Sequence, residues 1–282
     1  MKYAVLIADI VDSRKYENRL TVQLMLKSTV DFLNKVFARD LRSEVMISAG
    51  DSVQGIFYSF PACYLYYRWL ALLLYPVKIR SGLSYGTIDY EKTWSTLELV
   101  GPVYYQARNA LEMCKEQNIH LLISTKEPDD IYVNMLIRLA DNISKSYSIT
   151  INLIQILSEI LNPLHQEGAI ELSKYETELQ NVMALKEDVY NYSRYLRAKF
   201  YSYQFQKINY DSLRRFSVER KNNVQHEDEL ILDSYWKKGY STKIGDILGL
   251  PRQTIDRNYR YLNFALLRNA EATILSFLNR YV

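Results

Sequence analysis

The chain begins with a short apolar run followed by an amphipathic segment. Residues 2–9 are mostly apolar up to Asp9, which is typical of a buried strand. Residues 20–38 place Leu, Val and Phe side chains near helical spacing and predict a helix. The segment EVMISAGDSVQGIFYSF contains two short β-type runs around Gly50 and Asp51. This turn-forming pair predicts a hairpin whose tip carries a carboxylate.

The next segments continue the alternation of helix and strand. They favour, in chain order, a helix, a strand, a helix and a short strand over residues 62–75, 78–88, 101–116 and 119–124. The order βαββαβ, with a further helix and strand behind it, is that of an antiparallel sheet backed by helices, the ferredoxin-like arrangement. The front of the chain is therefore predicted to be an α+β domain.

The pattern changes after residue 126, where nearly every segment becomes helical in its spacing. Breaks fall near Asn162–Pro163, at residues 206–212 and at the polar run 219–228. We therefore expect an all-α region with one or two helix-turn-helix units behind the sheet domain. The predicted units span residues 1–128, 129–210 and 211–282.

Two segments of the helical half resemble each other. Residues 174–196 align with residues 239–262 with a single one-residue gap, and both segments end in Arg-Tyr-Leu. In the second segment Gly249 suits the left-handed conformation of a tight turn, and Pro251 suits the first turn of a new helix. The second segment therefore predicts a helix-turn-helix. The first is interpreted as a structural twin that dimerises or supports its partner.

The second helix of that unit is predicted to present long polar side chains to solvent, while Ile255, Tyr259 and Leu262 pack inward. Long donors at the start of such a helix suit the base edges and phosphates of duplex DNA. The alternative is a three-helix unit that packs only against protein. The candidate DNA contacts are Arg252, Gln253, Arg257 and Arg260, with Lys243 and Arg268 on flanking phosphates.

Composition restricts the possible functions only slightly. The 282 residues are 48% hydrophobic and carry a net charge of +3, so DNA binding requires a local basic patch. Cys63 and Cys114 lack the spacing of a zinc site and are predicted to be buried thiols. The sequence shows neither a signal-peptide pattern nor an apolar stretch long enough for a membrane span, so we expect a cytoplasmic location.

Asp9 follows the first strand, and Asp51 lies at the predicted hairpin tip. In the predicted sheet the first strand lies beside this hairpin, which brings the two carboxylates together. Neighbouring carboxylates repel each other unless a cation lies between them, and oxygen ligands suit Mg²⁺ or Mn²⁺ with nucleotide phosphates completing the shell. The alternative is that Asp9 caps a turn and Asp51 only forms the hairpin.

Four segments occur in the order, and roughly at the spacings, of landmark segments in class III nucleotide cyclase domains: ADIVDSR, SAGDSVQGIF, IRSGLSYGTI and LELVGPVYYQARNALEMCK. The chain resembles those domains over about residues 3–124. With its helix-turn-helix tail it resembles the SatD family of bacterial proteins. The resemblance implies metal ligands at Asp9 and Asp51, with the Ile10 carbonyl as a backbone ligand. The implied nucleotide-binding residues are Ile10, Asp12, Ser13 and Glu98.

Several positions depart from the cyclase pattern. Asp12 stands where the family usually has Gly, and Ile47 stands where a Lys helps to read the base. The Asn and Arg that hold the ribose and the transferred phosphoryl group fall on Tyr105 and Asn109. The neighbouring Arg108 is the candidate catalytic residue, and because one residue turns a helix by about 100°, it serves only if the helix has shifted register. The pattern predicts a metal or nucleotide pocket without turnover.

The leading hypothesis is therefore a regulatory protein that binds double-stranded DNA as a homodimer. Its degenerate cyclase-like domain would bind Mg²⁺, Mn²⁺ or a purine nucleotide and position helix-turn-helix units on DNA. One alternative is an active purine nucleotide cyclase with two metal ions at Asp9 and Asp51 and Arg108 as the transition-state donor. Another is an interaction scaffold whose helical half binds only protein.

Overall fold

The structure is a computed structural model, and it describes residues 1–48, 50–88, 101–144, 148–196, 204–218 and 239–281, without the side chains of 193–196. The strands of these stretches are β1 (Lys2–Ile10), β2 (Leu41–Ser48), β3 (Ser52–Phe57), β4 (Ile79–Thr87) and β5 (Leu121–Ile123). The helices of the sheet-containing part are α1 (Arg19–Val36), α2 (Phe60–Leu74) and α3 (Pro102–Gln117). The helices that follow are α4 (Asp130–Ser144), α5 (Ile149–Leu161), α6 (Leu172–Leu196), α7 (Tyr210–Val218), α8 (Tyr240–Leu248), α9 (Arg252–Tyr261) and α10 (Phe264–Leu278).

The strands form one sheet in the order β2-β3-β1-β4-β5. Strand β1 is antiparallel to both β3 and β4, whereas β4 and β5 are parallel. The order of the first four strands is the ferredoxin-like one that the chain order predicts. The sheet as a whole is mixed rather than antiparallel, because α3 carries the chain from β4 back to the same end of the sheet. The protein is thus of the mixed α+β class.

Helices cover both faces of the sheet because β1 is apolar on both sides. Leu6 belongs to the core shared with α1 and α2, whereas Val5 and Ile7 pack in a separate cluster against α3. Gly82 on β4 permits the close approach of α3, since a Cβ at that position would lie 2.0 Å from the Ala107 carbonyl oxygen. The position of α3 over β1 and β4 is therefore fixed by backbone proximity as well as by apolar packing.

The helical half is built around α5, in which every residue is buried. Helix α6 packs along α1, and α10 packs against α4 and α2. The hydrophobic core that begins in the sheet therefore continues through α5 to Leu278 in α10. The unit boundaries near residues 128 and 210 remain predictions. Within the described stretches, no helix combines the length and the apolar character that a membrane crossing requires.

The structure contradicts the first of the two proposed helix-turn-helix units. Helix α6 runs through the aligned segment as one helix, and its irregular backbone angles lie near its start, at Tyr175. Ala184 and Lys186 stand in α6 at the positions that correspond to Gly249 and Pro251. Because neither Ala nor Lys breaks a helix, the repeat in sequence does not produce a repeat in structure.

The second segment forms two short helices joined by a tight turn. Helix α8 ends at Gly249, whose φ of 64° lies in the left-handed region, and α9 begins directly after Pro251. Gly245 in α8 lies against this turn, because a Cβ there would be 2.6 Å from the Leu250 carbonyl oxygen. This is the local geometry that Gly249 and Pro251 predict.

Candidate functional site

Asp9 and Asp51 occupy neighbouring backbone positions at one end of the sheet. In the β1–β3 pair Asp9 lies opposite Ser52, and the Ile10 amide donates a hydrogen bond to the Asp51 carbonyl oxygen at 3.0 Å. Ile10 itself is buried and lies opposite Ile79 in β4. The topology therefore brings the backbones of the two aspartates together, while the meeting of their carboxylates stays a prediction.

Each carboxylate already has a partner from this chain. The Lys115 ammonium of α3 lies 3.0 Å from Asp9 Oδ2, and it also donates to Glu112 Oε1 at 3.0 Å. The Ser13 hydroxyl donates to Asp51 Oδ2. Asp9 Oδ1 is shielded from solvent and has no hydrogen-bond partner among the described residues. Burial lowers the pKa of Lys115, but its hydrogen bonds to Asp9 and Glu112 outweigh burial and raise the pKa above its usual value.

Asp12, in the loop after β1, pairs with Lys15 and not with a residue of the Asp9 or Asp51 contacts. Asp12 has a left-handed backbone with φ 54°, and its carboxylate forms an exposed ion pair with Lys15 at 2.9 Å. The sequence places Asp12 where it would repel a triphosphate, but in the fold Lys15 offsets that charge. Glu98, the remaining predicted nucleotide-binding residue, lies outside the described residues.

Helix α3 delivers a lysine, and not the predicted arginine, to the carboxylates. Arg108 is exposed, and no hydrogen bond or ion pair of this residue is seen within the described stretches. Lys115 lies seven residues further on, about 10 Å along the helix axis. Tyr105 and Asn109, which occupy the family's Asn and Arg positions, are exposed as well. Sequence reasoning missed Lys115, although it shares a helix face with Arg108 two turns away.

Asp9 and Asp51 lack the full set of free oxygen ligands that Mg²⁺ or Mn²⁺ requires. Mg²⁺ takes six oxygen ligands in near-ideal octahedral geometry, and Mn²⁺ also prefers oxygen donors. In the described part of the chain, no group of three or more His, Cys, Asp and Glu side chains is placed to hold a metal ion, but the predicted site has only two carboxylates and the Ile10 carbonyl, so this finding does not bear on it. One carboxylate is paired with an ammonium and the other accepts from a hydroxyl. With these partners in place, the two carboxylates do not fit a divalent metal ion.

A cleft of about 570 Å³ lies at the opposite end of the sheet, far from the aspartates. It is formed where β4 ends and where α3 and α4 begin. Its polar lining carries both signs of charge. The charged and aromatic lining residues are Lys2, Tyr85, Glu127, Asp129, Arg280 and Tyr281. The cleft has the size of a small-molecule site, but its mixed charge favours no one class of ligand.

Helix α9 is divided into a buried and an exposed face. Ile255 and Tyr259 are buried, and Leu262 is buried directly after the helix. The Tyr259 and Ser158 hydroxyls are 2.6 Å apart, which ties α9 to the buried α5. Arg252 pairs with Asp256 at 3.3 Å on the outer face. The exposed residues of this face include Arg252, Gln253, Arg257 and Arg260.

Two predicted phosphate contacts have different outcomes. Arg268 is 1% exposed, and its guanidinium donates to Glu159 Oε1 at 2.6 Å and to the Asn162 carbonyl oxygen at 2.8 Å. Its prediction as a DNA contact is therefore wrong, because the side chain is a core ion-pair partner. Lys243 is half-buried, with its ammonium 5.5 Å from the centre of the Phe216 ring. The prediction for Lys243 stays untested.

Cys63 and Cys114 are buried free thiols, as predicted.

Comparison with known proteins identifies the family. No curated protein sequence matches the chain. A solved structure of a bacterial light-regulated adenylyl cyclase is 16% identical, with a TM-score of 0.34, over 44% of this chain and 43% of that one. That match spans less than half of either protein. The model of the SatD family matches residues 3–200, about two thirds of the sequence. The chain therefore belongs to the SatD family.

Proposed function

We propose that this SatD-family protein is a regulatory protein that binds double-stranded DNA through α9. The observation that carries the proposal is the outer face of this helix, where Arg252, Gln253, Arg257 and Arg260 are all exposed. Arginine and glutamine can donate paired hydrogen bonds to base edges in the major groove, and arginine also binds phosphates. A chain with a net charge of only +3 needs such a local concentration of donors.

The buried contacts of α9 hold it rigidly, as a helix that inserts into the major groove of DNA requires. Its inner residues Ile255 and Tyr259 are buried, and Tyr259 is hydrogen-bonded to Ser158 of α5. The turn at Gly249 places α8 directly behind the start of α9. In helix-turn-helix proteins the second helix contacts bases with its N-terminal residues, which here are Arg252 and Gln253.

The front domain is proposed to act without catalytic turnover. Lys115 pairs with Asp9, and Arg108 extends from α3 without a described partner. Losing one charge-stabilising donor in such chemistry typically lowers the rate about 10² to 10³-fold. A purine nucleotide remains the proposed ligand of this domain, and a rise in melting temperature with ATP or GTP, without product, tests it.

The protein is further proposed to act as a homodimer. Four apolar side chains on the outer face of α4 are between 43% and 65% exposed: Ile131, Tyr132, Met135 and Leu139. Contiguous exposed apolar surface of this kind is typical of protein contacts. A two-fold dimer would present two copies of α9 to successive major grooves about 34 Å apart. The molar mass in solution tests this part of the proposal.

Genome-wide capture of bound DNA identifies the target, and salt titrations with that duplex test the role of α9. Arg257→Ala should weaken binding and reduce the slope of log K against log salt by about one unit, because one phosphate contact is lost. The double variant Arg252→Ala/Arg257→Ala should reduce binding further.

Arg39→Ala is the matched control, because Arg39 is an exposed arginine outside the helical half. It should leave both affinity and salt slope unchanged. Equal losses in the Arg39 and Arg257 variants, or no binding of duplex by the wild type, would contradict the proposal. Mn²⁺-dependent release of pyrophosphate from a purine triphosphate that disappears in Asp51→Ala would instead favour an active cyclase.

A further inference from the structure

We propose that the Lys115 ammonium is the permanent counter-cation of Asp9, the aspartate whose backbone lies beside that of Asp51, so that this end of the sheet functions without a divalent metal ion. The inference concerns the front domain alone, and it does not depend on DNA binding by α9. It assigns to a residue of α3 the electrostatic role that the sequence pattern assigns to Mg²⁺ or Mn²⁺.

The charge of Asp9 is balanced by a residue of this chain. Its Oδ1 atom is shielded from solvent and has no partner in the described part of the chain, while its Oδ2 atom lies 3.0 Å from Lys115 Nζ. A poorly solvated carboxylate is strongly destabilising unless a cation is close. The cation that the structure provides is the lysine.

Lys115 is oriented toward Asp9 by its neighbours on α3. Its neighbour Cys114 is fully buried, and the Cys114 thiol donates to the Ser81 carbonyl oxygen of β4 at 3.3 Å. Glu112, one turn earlier on α3, accepts a hydrogen bond from the same ammonium. The backbone beside Lys115 is thus anchored to the sheet, and the side chain is oriented by two acidic partners. The Lys115 side chain is 37% exposed, and its ammonium is oriented by these two carboxylates.

The Lys115 ammonium also opposes the binding of a metal ion. A divalent cation bound by both carboxylates would lie within a few ångströms of the ammonium, and like charges at that separation repel strongly. Arg80 lies opposite Asp9 in the register of the β1–β4 pair, so a second basic residue belongs to this end of the sheet. Metal binding would therefore require Lys115 to leave Asp9. The negative charge of Asp9 is therefore neutralised by Lys115, whatever the concentration of divalent metal ions.

The test is a Mn²⁺ titration of the full chain, followed by the electron paramagnetic resonance signal of free Mn²⁺. The wild type should take up no Mn²⁺ in a saturable manner. Lys115→Met removes the ammonium and should gain a site at least about tenfold tighter than any in the wild type. Adding Asp51→Asn to Lys115→Met should abolish that site.

Two lysine variants serve as controls. Lys115→Arg keeps the positive charge and should remain unable to take up Mn²⁺. Lys15→Met removes the neighbouring ammonium that pairs with Asp12 at 2.9 Å, and it should also gain no site. Melting curves establish that each variant is folded, and Lys115→Gln, which retains a hydrogen-bond donor, replaces Lys115→Met if that variant unfolds.

Two outcomes would overturn the proposal. The first is saturable Mn²⁺ binding by the wild type that is lost in Asp51→Asn, which needs no lysine variant to interpret. The second is a folded Lys115→Met or Lys115→Gln protein that gains no Mn²⁺ site. Neither outcome would change the expected effect of Arg257→Ala on DNA binding, so the two proposals fail separately.

Discussion

Lys186 shows how a charged side chain can be part of the core. It is 0% exposed, and its ammonium donates to the carbonyl oxygens of Leu72 at 2.9 Å, Leu73 at 3.1 Å and Tyr75. These carbonyls lie at the C-terminal end of α2, where a helix leaves its last acceptors without intrahelical donors. Burial lowers the pKa of Lys186, whereas the carbonyls and the negative end of the helix dipole favour its charge.

Lys186→Met should therefore destabilise the protein although methionine fills a similar volume. The substitution removes the lysine donor from the Leu73 and Tyr75 carbonyl oxygens, whereas the Leu72 oxygen keeps its hydrogen bond from Asn152. The loss costs about 3 kcal/mol in the free energy of unfolding. Urea denaturation measures the change. Lys174→Met, at an exposed lysine of the same helix, is the control and should leave the denaturation midpoint nearly unchanged. Equal midpoints for the two variants would show that Lys186 is not a cap.

Individual polar residues were the hardest to predict from the sequence. Asp9 and Asp51 could be placed together because the strand order follows from the alternation of patterns. Lys115 could not be assigned to Asp9, because that contact depends on the rotation of α3 over the sheet. The sequence predicts Arg268 as a DNA contact. In the structure it lies on the apolar side of α10, and its partner Glu159 is 109 residues away in the chain. Local patterns do not report such long-range pairs.

At the scale of elements, the turn between α8 and α9 depends on small residues at two positions. Gly249 has the positive φ that a left-handed turn requires, and Gly245 faces the backbone of the turn. These signals made the second segment predictable. The first segment has the same apolar spacing but has Ala184 and Lys186 at the turn, so α6 continues through it. Apolar spacing predicts helices, whereas the breaks between them depend on particular residues.

Gly245→Ala should open the turn between α8 and α9. The added methyl group would lie 2.6 Å from the Leu250 carbonyl oxygen, which is backbone and can move only with the turn. Overpacking of this kind typically costs about 1–3 kcal/mol. Both the melting temperature and the affinity for the DNA target should fall, while Thr242→Ala at an exposed position of α8 should change neither. If the Gly245→Ala protein is destabilised but keeps its full affinity for DNA, the geometry of the turn is not needed for DNA binding.

At the scale of the whole molecule, four buried charges connect the sheet domain to the last helix. Arg68 of α2 donates to Glu159 of α5 and to Glu271 of α10, each at 2.7 Å. Arg268 of α10 donates to the same Glu159 oxygen at 2.6 Å. All four side chains are at most 7% exposed. The two positive and two negative charges cancel. Removing any one of the four side chains would leave an uncompensated charge in the core, which destabilises the fold.

Glu159→Gln should destabilise the protein by about 3 kcal/mol, because it leaves two buried guanidinium groups with one carboxylate. Burial raises the pKa of Glu159, but the guanidinium groups of Arg268 and Arg68 outweigh burial and hold it below the usual value. Its ionised form therefore stabilises the fold above about pH 4.3, the usual value in an unfolded chain, and this contribution is lost as the pH falls through the lowered pKa.

Urea denaturation between neutral and acidic pH measures both effects. The wild type should lose stability more steeply in acid than Glu159→Gln, which has no proton to gain at this position. Glu178→Gln, at an ion pair with Lys35 on the protein surface, is the control and should keep the wild-type slope. Parallel pH profiles for the wild type and Glu159→Gln would exclude the assigned role of Glu159.

The four-charge network also limits how the protein can be divided. A fragment that starts at residue 211 would retain Arg268 and Glu271 but lose Arg68 and Glu159, and the inner face of α10 would be left against water. Such a fragment should be recovered unfolded or aggregated rather than as a transferable DNA-binding module. The surface that α9 presents is therefore a property of the complete polypeptide, and fusing it to another protein would require grafting its residues onto a different scaffold.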